Sequence, residues 1–220
     1  MIWLNQRARM LALVLAMLAG YVDAIGFIQI GGFFVSFMSG NSTRLAVGLM
    51  HDATDWMKAA GLIAGFFLGV IAGSLTGRLA PRRHRAVLGL VAMLLVLGAA
   101  AAGLGWAMPS ALMLALAMGA ENATFERDGE VRVALTYMTG TFVKAGQRIA
   151  GALLGEDKNA WMPHMALWLA LVTGAVAGAA MQTHFGTAAL WCAAALATVC
   201  AFAAGPLDDR AEHSGTPQAG

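Results

Sequence analysis

The chain has 220 residues, a formal net charge of +2, 59% hydrophobic and only 12% charged residues, and a mean hydropathy of +0.69. A soluble domain usually has about a quarter charged residues, so this composition excludes an ordinary soluble protein and indicates a membrane protein. No basic cluster alternates with aromatic residues, so we do not expect nucleic-acid binding either.

The first predicted element is an apolar helix over residues 10–32, which follows a short basic start. The basic start, the apolar run and a Val-x-Ala ending resemble a secretory signal peptide. We nevertheless expect the segment to be retained, because its pattern recurs in the second half of the chain. Gly20, Asp23 and Ala24 match Gly119, Asn122 and Ala123.

The next predicted element, residues 33–50, is short and polar, and it also occurs twice. The stretch FVSFMSGNSTRL, which starts at Phe34, aligns without a gap with ALTYMTGTFVKA, which starts at Ala134. The matched positions are Ser36 and Thr136, Phe37 and Tyr137, Met38 and Met138, Ser39 and Thr139, Gly40 and Gly140, and Arg44 and Lys144. A polar stretch that recurs inside an apolar chain indicates a duplicated structural unit.

Two longer apolar helices complete the first half, at residues 57–80 and 86–109. The first of them contains Gly65-x-x-x-Gly69-x-x-x-Gly73, a spacing typical of membrane helices in close contact. The second half repeats the order, with elements at 110–125, 134–155, 162–184 and 187–205.

The sequence therefore predicts one transmembrane domain, residues 1–205, followed by a disordered polar tail, residues 206–220. Its two repeats would be residues 10–109 and 110–205.

Two topologies are compatible with this duplication. If the short polar segments cross the bilayer, the chain has eight spans and parallel repeats; if they do not cross, it has six spans and inverted repeats. The six-span arrangement keeps the arginine-rich loops on the cytoplasmic side, whereas the eight-span arrangement exports Arg7 and Arg9. We therefore predict an all-α membrane bundle of inverted three-plus-three spans with two broken or re-entrant short helices.

The recurring polar stretch supports two interpretations. In the first, its hydroxyl groups bond back to the helix, its glycines permit close packing, and Arg44 and Lys144 extend to the lipid headgroups. In the second, Ser39-Gly40-Asn41 and Thr139-Gly140-Thr141 interrupt a helix at mid-membrane depth, where freed backbone groups can hold an ion or a small solute. We favour the second interpretation, because the pattern recurs and brings a cation each time.

Acidic residues at matching places extend this prediction. Asp23 lies in the first apolar helix, and Glu121 with Asn122 occupies the corresponding place in the second half. A carboxylate in a bilayer normally faces a cavity or a partner. We expect Arg44 and Lys144 nearby, either completing a solute site or forming buried ion pairs that fix helix register.

The predicted solute site therefore combines residues from both halves. They are Asp23, Ser39, Gly40, Asn41, Arg44, Glu121, Asn122, Thr139, Gly140, Thr141 and Lys144.

The sequence predicts neither a metal site, nor a cofactor, nor a reaction. Cys192 and Cys200 lie on one predicted helix about 12 Å apart along its axis, which is too far for a disulfide. The histidines, cysteines and carboxylates do not have metal-ligand spacing. Because no catalytic dyad, HExxH motif or paired aspartate motif is present, we do not expect an enzyme.

The combination of GYVDAIGF, FVSFMSGNSTRLA, AMGAENATF and TYMTGTFVKAGQ resembles the YoaK family of small bacterial integral membrane proteins. The likeness covers almost the whole chain, from about residue 10 to residue 204. It implies a polytopic inner-membrane protein, and it implies little about activity, because the family is known as a domain of unknown function. Members often have glutamine where this chain has Glu121, so the charge there departs from the family pattern.

The predicted function is a secondary transporter or channel for a small polar or anionic solute in the bacterial inner membrane. An internal repeat, paired helix interruptions, paired cations and buried carboxylates are the parts that such proteins use. The alternative is a non-transporting membrane scaffold or sensor subunit. The close-packing glycines also make a homodimer a reasonable expectation.

Overall fold

The computed structural model describes residues 6–127, 130–131 and 135–205. Within these residues there are eight α-helices: α1 (Gln6–Gln29), α2 (Met38–His51), α3 (Ala53–Leu79), α4 (Arg83–Gly103), α5 (Ala107–Glu121), α6 (Met138–Leu153), α7 (Met162–Phe185) and α8 (Ala189–Ala203). Short 3-10 turns lie at Asn122–Phe125 and Gly186–Ala188, and two-residue strands β1 (Glu126–Arg127) and β2 (Glu130–Val131) pair antiparallel. The predicted disordered tail, 206–220, lies outside the described residues.

Four stretches of the described residues are long and apolar enough to cross a membrane. They are Gln6–Gln29, Ala53–Leu79, Arg83–Gly103 and Met162–Ala203, and the last contains both α7 and α8. α2 and α6, with 14 and 16 residues, are not among them. The prediction of an all-α polytopic membrane bundle is confirmed, and the short helices lie where the sequence has its polar segments.

Glycine turns shift the helix boundaries that apolar composition alone suggested. The helix predicted over 86–109 ends at Gly103, because Gly105 adopts a φ of +79°, a conformation that favours glycine. α5 consequently begins at Ala107 instead of residue 110. An apolar sequence without charged residues gives no other sign of this turn.

Contacts near helix ends establish which helices run in the same direction. Gln29, at the end of α1, donates a hydrogen bond of 3.4 Å to Gln182, near the end of α7, so these packed helices are parallel. Arg78, near the end of α3, forms an ion pair of 3.0 Å with Glu126, just after α5. α3 and α5 are therefore also parallel.

Other contacts identify antiparallel pairs. Lys58, in the second turn of α3, lies 5.6 Å from the ring centroid of Phe33, which follows α1. Arg85, at the start of α4, lies 5.4 Å from the ring centroid of Phe202, at the end of α8. α1 and α3 therefore run in opposite directions, as do α4 and α8.

These directions give the bundle two distinguishable ends. We call the end at which α1, α4 and α7 begin the basal end, and the opposite one the distal end. α2 connects the distal ends of α1 and α3, and α6 connects the basal ends of α5 and α7. Both short helices thus start and finish on one side of the bundle, while the other helices alternate between the two ends.

Glycines bring α1 and α7 into backbone contact. A Cβ atom added at Gly174 or Gly178 would fall on the carbonyl oxygen of Met17 or Tyr21, and one added at Gly20 would fall on that of Leu171. Only glycine permits this approach, which is the close packing that small residues provide in membrane proteins.

α3 and α5 cross in the same way. Cβ atoms added at Gly69 and Gly73 would fall on the carbonyl oxygens of Leu116 and Ala120, and one added at Gly119 would fall on that of Phe66. Each crossing joins a helix of the first half to a helix of the second half, so neither half packs independently of the other.

We predict that Gly69→Ala destabilises the protein by about 1–3 kcal/mol, because the added methyl group must push α3 away from α5. Gly89→Ala in α4 is the matched control, since its Cβ would meet no neighbour within 4 Å. That control should leave the free energy of unfolding unchanged or raise it by up to about 1 kcal/mol. Denaturant titration in detergent measures both variants, and equal values for the two would contradict the crossing.

The topology predicts that residues 53 and 82 lie on opposite sides of the membrane, because all of α3 separates them. We expect Ala53→Cys and Arg82→Cys, each in a background with Cys192 and Cys200 replaced by alanine, to react with an impermeant maleimide from opposite sides. Intact and inverted vesicles distinguish the two sides. Labelling of both residues from one side would exclude the six-span arrangement.

Candidate functional site

The chain turns back on itself after α1. Gly31 and Gly32 have φ values of +71° and +89°, which reverse the backbone. The following residues run alongside α1 as far as Asp23, whose Oδ1 accepts hydrogen bonds of 2.8 Å from the backbone N–H groups of Val35 and Ser36. Since Asp23 lies about 9 Å inside the distal end of α1, this segment is re-entrant within the bundle.

Asn41 fixes the same segment from the other side. Its side chain is fully buried; its Oδ1 accepts a bond of 3.0 Å from the N–H of Phe34, and its Nδ2 donates one of 2.6 Å to the carbonyl of the same residue. Asp23 and Asn41 together satisfy backbone groups that would otherwise be buried without hydrogen-bond partners.

The predicted interruption at Ser39-Gly40-Asn41 is displaced. These residues form the first turn of α2, and the break lies before them, in residues 30–37. The glycine serves packing, because a Cβ atom at Gly40 would meet the rings of Phe34 and Phe37 at 2.6–2.9 Å. The same holds in the second half, where Thr139, Gly140 and Thr141 are helical and Gly140 lies against the ring of Tyr137.

Arg44 does not pair with Asp23, contrary to the sequence expectation. Its guanidinium lies 4.6 Å from the ring centroid of Phe33 and stacks over Gly32, where a Cβ atom would displace it. Asp23 takes its hydrogen bonds from the backbone instead. Stacking on an aromatic face gives the arginine a partner without a carboxylate.

The second half builds a simpler version of this arrangement at the basal end. The hydroxyl group of Thr136 donates a hydrogen bond of 3.1 Å to Oδ1 of Asn122, whereas in the first half the backbone N–H of Ser36 donates to Oδ1 of Asp23. Thr141 bonds back to the carbonyl of Tyr137 at 3.3 Å, whereas Asn41 reaches Phe34. The amide of Asn122 thus stands where the first half has the carboxylate of Asp23, and the hydroxyl of Thr141 stands where it has the amide of Asn41.

The predicted site residues therefore form two groups rather than one. Asp23, Asn41 and Arg44 lie at the distal end, which we call the distal half-site. Asn122 and Thr141 lie at the basal end, which we call the basal half-site. Lys144 is also basal, since it lies on α6, which connects the basal ends of α5 and α7, so it and Arg44 cannot contact one anion together.

Glu121 differs from every other predicted residue. It is completely buried at the end of α5, and neither carboxyl oxygen has a hydrogen-bond partner among the described residues. Thr124, one turn later and also fully buried, has an unpartnered hydroxyl.

The structure also shows an ion cluster that the sequence reasoning missed. Glu126 binds Arg78 at 3.0 Å and Arg83 at 3.2 Å, which ties α3 and α4 to the end of α5. Burial raises the pKa of Glu126, but hydrogen bonds from Ser74 and Arg78 and the charges of Arg83 and Arg78 outweigh it, so the pKa lies below the ordinary glutamate value. Glu126 is more than 40 residues away in sequence from Arg78 and Arg83, so sequence proximity gives no signal of this cluster.

Residues 11–203 match a family described as "Protein of unknown function (DUF1275)". The chain belongs to the DUF1275 family. A relative named UPF0700 transmembrane protein RA0705, from Rhizobium meliloti (strain 1021), is 37% identical over 198 residues, covering 87% of this chain and 86% of the relative. The DUF1275 chain also matches UPF0700 transmembrane protein YoaK of Bacillus subtilis (strain 168), with 27% identity over 156 residues, 66% of this chain and 69% of the relative.

These matches confirm the resemblance to the YoaK family. No solved structure matches the DUF1275 chain significantly. The relatives' names describe transmembrane proteins, in agreement with the apolar helices of this structure. The chain is therefore a multi-pass integral membrane protein.

We predict that Asn41→Ala lowers the free energy of unfolding by about 2–4 kcal/mol, because it leaves the N–H and the carbonyl of Phe34 without partners. Thr141→Ala is the matched control at the corresponding position. It should cost less than about 1 kcal/mol, since the Tyr137 carbonyl keeps its backbone hydrogen bond. Chemical unfolding in detergent compares them, and a larger loss for Thr141→Ala would refute this account of the re-entrant segment.

Proposed function

We propose that the protein is a secondary transporter of the bacterial inner membrane, which moves a small polar or anionic solute and catalyses no reaction. The buried carboxyl group of Glu121 carries the proposal, because both of its oxygens lack a partner among the described residues. An unpaired charge at membrane depth costs several kcal/mol. A group kept at that cost does not serve stability.

The position of Glu121 supports a coupling role. The corresponding position in the first half is Val22, which is fully buried and apolar, so the fold does not require a polar residue there. A carboxyl group in an apolar core needs a proton or a cation as its counterpart. Exchange of that counterpart can couple an ion gradient to solute movement.

The two half-sites support a pathway with a polar station near each face of the membrane. Asp23 and Asn41 lie at the distal station, and Asn122 and Thr141 at the basal one. The glycine crossings occupy the apolar region between them. A solute would pass from one station to the other when the paired helices shift relative to each other.

We infer that this arrangement arose from an inverted duplication. α1 and α5 occupy matching places in the two halves and run in opposite directions. Their glycine contacts correspond as well: Gly174 on Met17 matches Gly69 on Leu116, and Gly20 on Leu171 matches Gly119 on Phe66. Inverted repeats are a common basis of alternating access. Association into a homodimer stays a prediction from the sequence.

We expect Glu121→Gln to abolish coupled transport and to leave the protein folded. The measurement is charge displacement by reconstituted protein on a supported membrane, after concentration jumps of acetate, formate, phosphate, glycine and alanine at several pH values. Glu156→Gln is the matched control, because Glu156 is exposed in the loop between α6 and α7. It should behave like the unmodified protein.

A stability measurement distinguishes the functional role of Glu121 from a structural one. Glu121→Leu should leave the free energy of unfolding unchanged or raise it, because it removes a buried polar group that has no partner. If Glu121→Leu destabilises the protein by more than about 2 kcal/mol, and none of the tested solutes moves charge in the unmodified protein, the transporter proposal fails.

A non-transporting scaffold is the second candidate, and the distal half-site favours it. Oδ1 of Asp23 and both polar side-chain atoms of Asn41 bond to the backbone of residues 34–36, so these groups already serve to shape the chain. A scaffold would need nothing more from them. It would not account for the unpartnered carboxyl group of Glu121.

A further inference from the structure

The basal end carries a groove of about 520 Å³ between α6 and α7. It is lined by Lys144, Gln147 and Arg148 of α6 and by His164 of α7. Lys144 and Arg148 are one helical turn apart, so both cations lie on the same face of α6.

The positive charge in this groove is not paired with an acidic side chain of the described residues. No carboxylate of a described residue lies within ion-pair distance of Lys144 or Arg148. Other cations of the described chain have such partners: Lys58 lies 3.5 Å from Asp55, and Arg83 lies 3.2 Å from Glu126. A concave surface lined by two neighbouring cations attracts an anion.

The groove is also absent from the matching place in the first half. The positions on α2 that correspond to Gln147 and Arg148 are Val47 and Gly48. Gly48 packs against the backbone of α3, where a Cβ atom would meet the nitrogen of Trp56 at 2.7 Å. α2 therefore closes against α3, whereas α6 and α7 leave a polar space.

We propose that this groove binds a phosphate group, carried either by an anionic lipid headgroup or by a soluble compound. Each of the four side chains can donate hydrogen bonds to phosphate oxygens: the lysine as a point charge, the arginine through its planar fork, and the glutamine and histidine through N–H groups. The volume suits a small ligand. This proposal does not depend on transport, so it can hold where the transporter proposal fails.

The position of the groove fits a ligand at the membrane surface. His164 lies in the first turn of α7, three residues after Trp161, and tryptophan is typical of the membrane–water interface. If the basal end is cytoplasmic, as the arginines of residues 78–85 favour, the groove faces a leaflet that contains anionic lipids.

Titration of the purified full-length protein tests the proposal. One arm compares short-chain phosphatidylglycerol with phosphatidylcholine of the same chain length, and the other compares sodium phosphate with sodium chloride at equal ionic strength. We expect phosphatidylglycerol to bind at least tenfold more tightly than phosphatidylcholine. Lys144→Gln and Arg148→Gln should each weaken that binding about fivefold.

Two further variants make the result specific to the groove. Gln147→Glu places a carboxylate between the two cations and should likewise weaken the binding of phosphatidylglycerol, without shortening a side chain. Lys58→Gln removes a cation at the distal end and should leave binding unchanged. The substituted residues, Lys58, Lys144, Gln147 and Arg148, are all at least partly exposed. We therefore expect every variant to fold, and circular dichroism checks this.

Each outcome decides something. Binding of phosphatidylglycerol alone supports a lipid headgroup, and a specific effect of inorganic phosphate as well supports a soluble phosphate compound. Equal binding of both lipids with no difference between phosphate and chloride overturns the proposal. The proposal is also overturned if a protein that carries both Lys144→Gln and Arg148→Gln still prefers phosphatidylglycerol to phosphatidylcholine by the same factor.

Discussion

Lipid tails are as apolar as leucine side chains, so burial alone gives membrane helices little reason to associate, and close backbone contact has to supply the attraction. In this protein that contact occurs at two crossings, where glycines of α3 and α7 rest on carbonyl groups of α5 and α1. Asp23 lies on α1 and Glu121 lies on α5, and each of these helices is packed at one crossing against a helix of the other half. The depth of each carboxyl group in the bundle therefore depends on a crossing between the halves.

The polar groups inside the bundle fall into two classes with different physical meanings. Asp23, Asn41 and Thr136 satisfy backbone or side-chain partners, and their presence follows from the need to pair every polar group that is kept from water. Glu121 and Thr124 are buried as deeply and pair with nothing described. The first class explains how a non-helical segment can exist within the bundle; the second has no structural explanation, and it is therefore the better guide to activity.

Composition and repetition predict much of this fold and less of its sites. The apolar runs, the GxxxG spacing and the recurrence of Ser39-Gly40-Asn41 as Thr139-Gly140-Thr141 predict the helices and locate both short segments. The turn at Gly105 and the helical state of Gly40 depend on backbone conformation and aromatic packing, which residue type alone does not specify. The expected Asp23–Arg44 pair failed for a similar reason: charge predicts attraction, but the backbone N–H groups of residues 35 and 36 were closer than any cation. Partner choice at such sites is a matter of geometry.

The order in which the two crossings can form follows from their separation along the chain. Residues of α3 and α5 that touch are only about 50 positions apart, so this pair can close soon after α5 has been synthesised. The contacts of α1 with α7 span roughly 150 positions. α1 is therefore synthesised long before α7 and lacks its main packing partner for most of translation. During that interval Gly20 and the neighbouring carbonyls face lipid or a chaperone. The interval between the synthesis of α1 and that of α7 is thus the stage of biogenesis at which the nascent protein is most open to degradation or to pairing with the wrong helix.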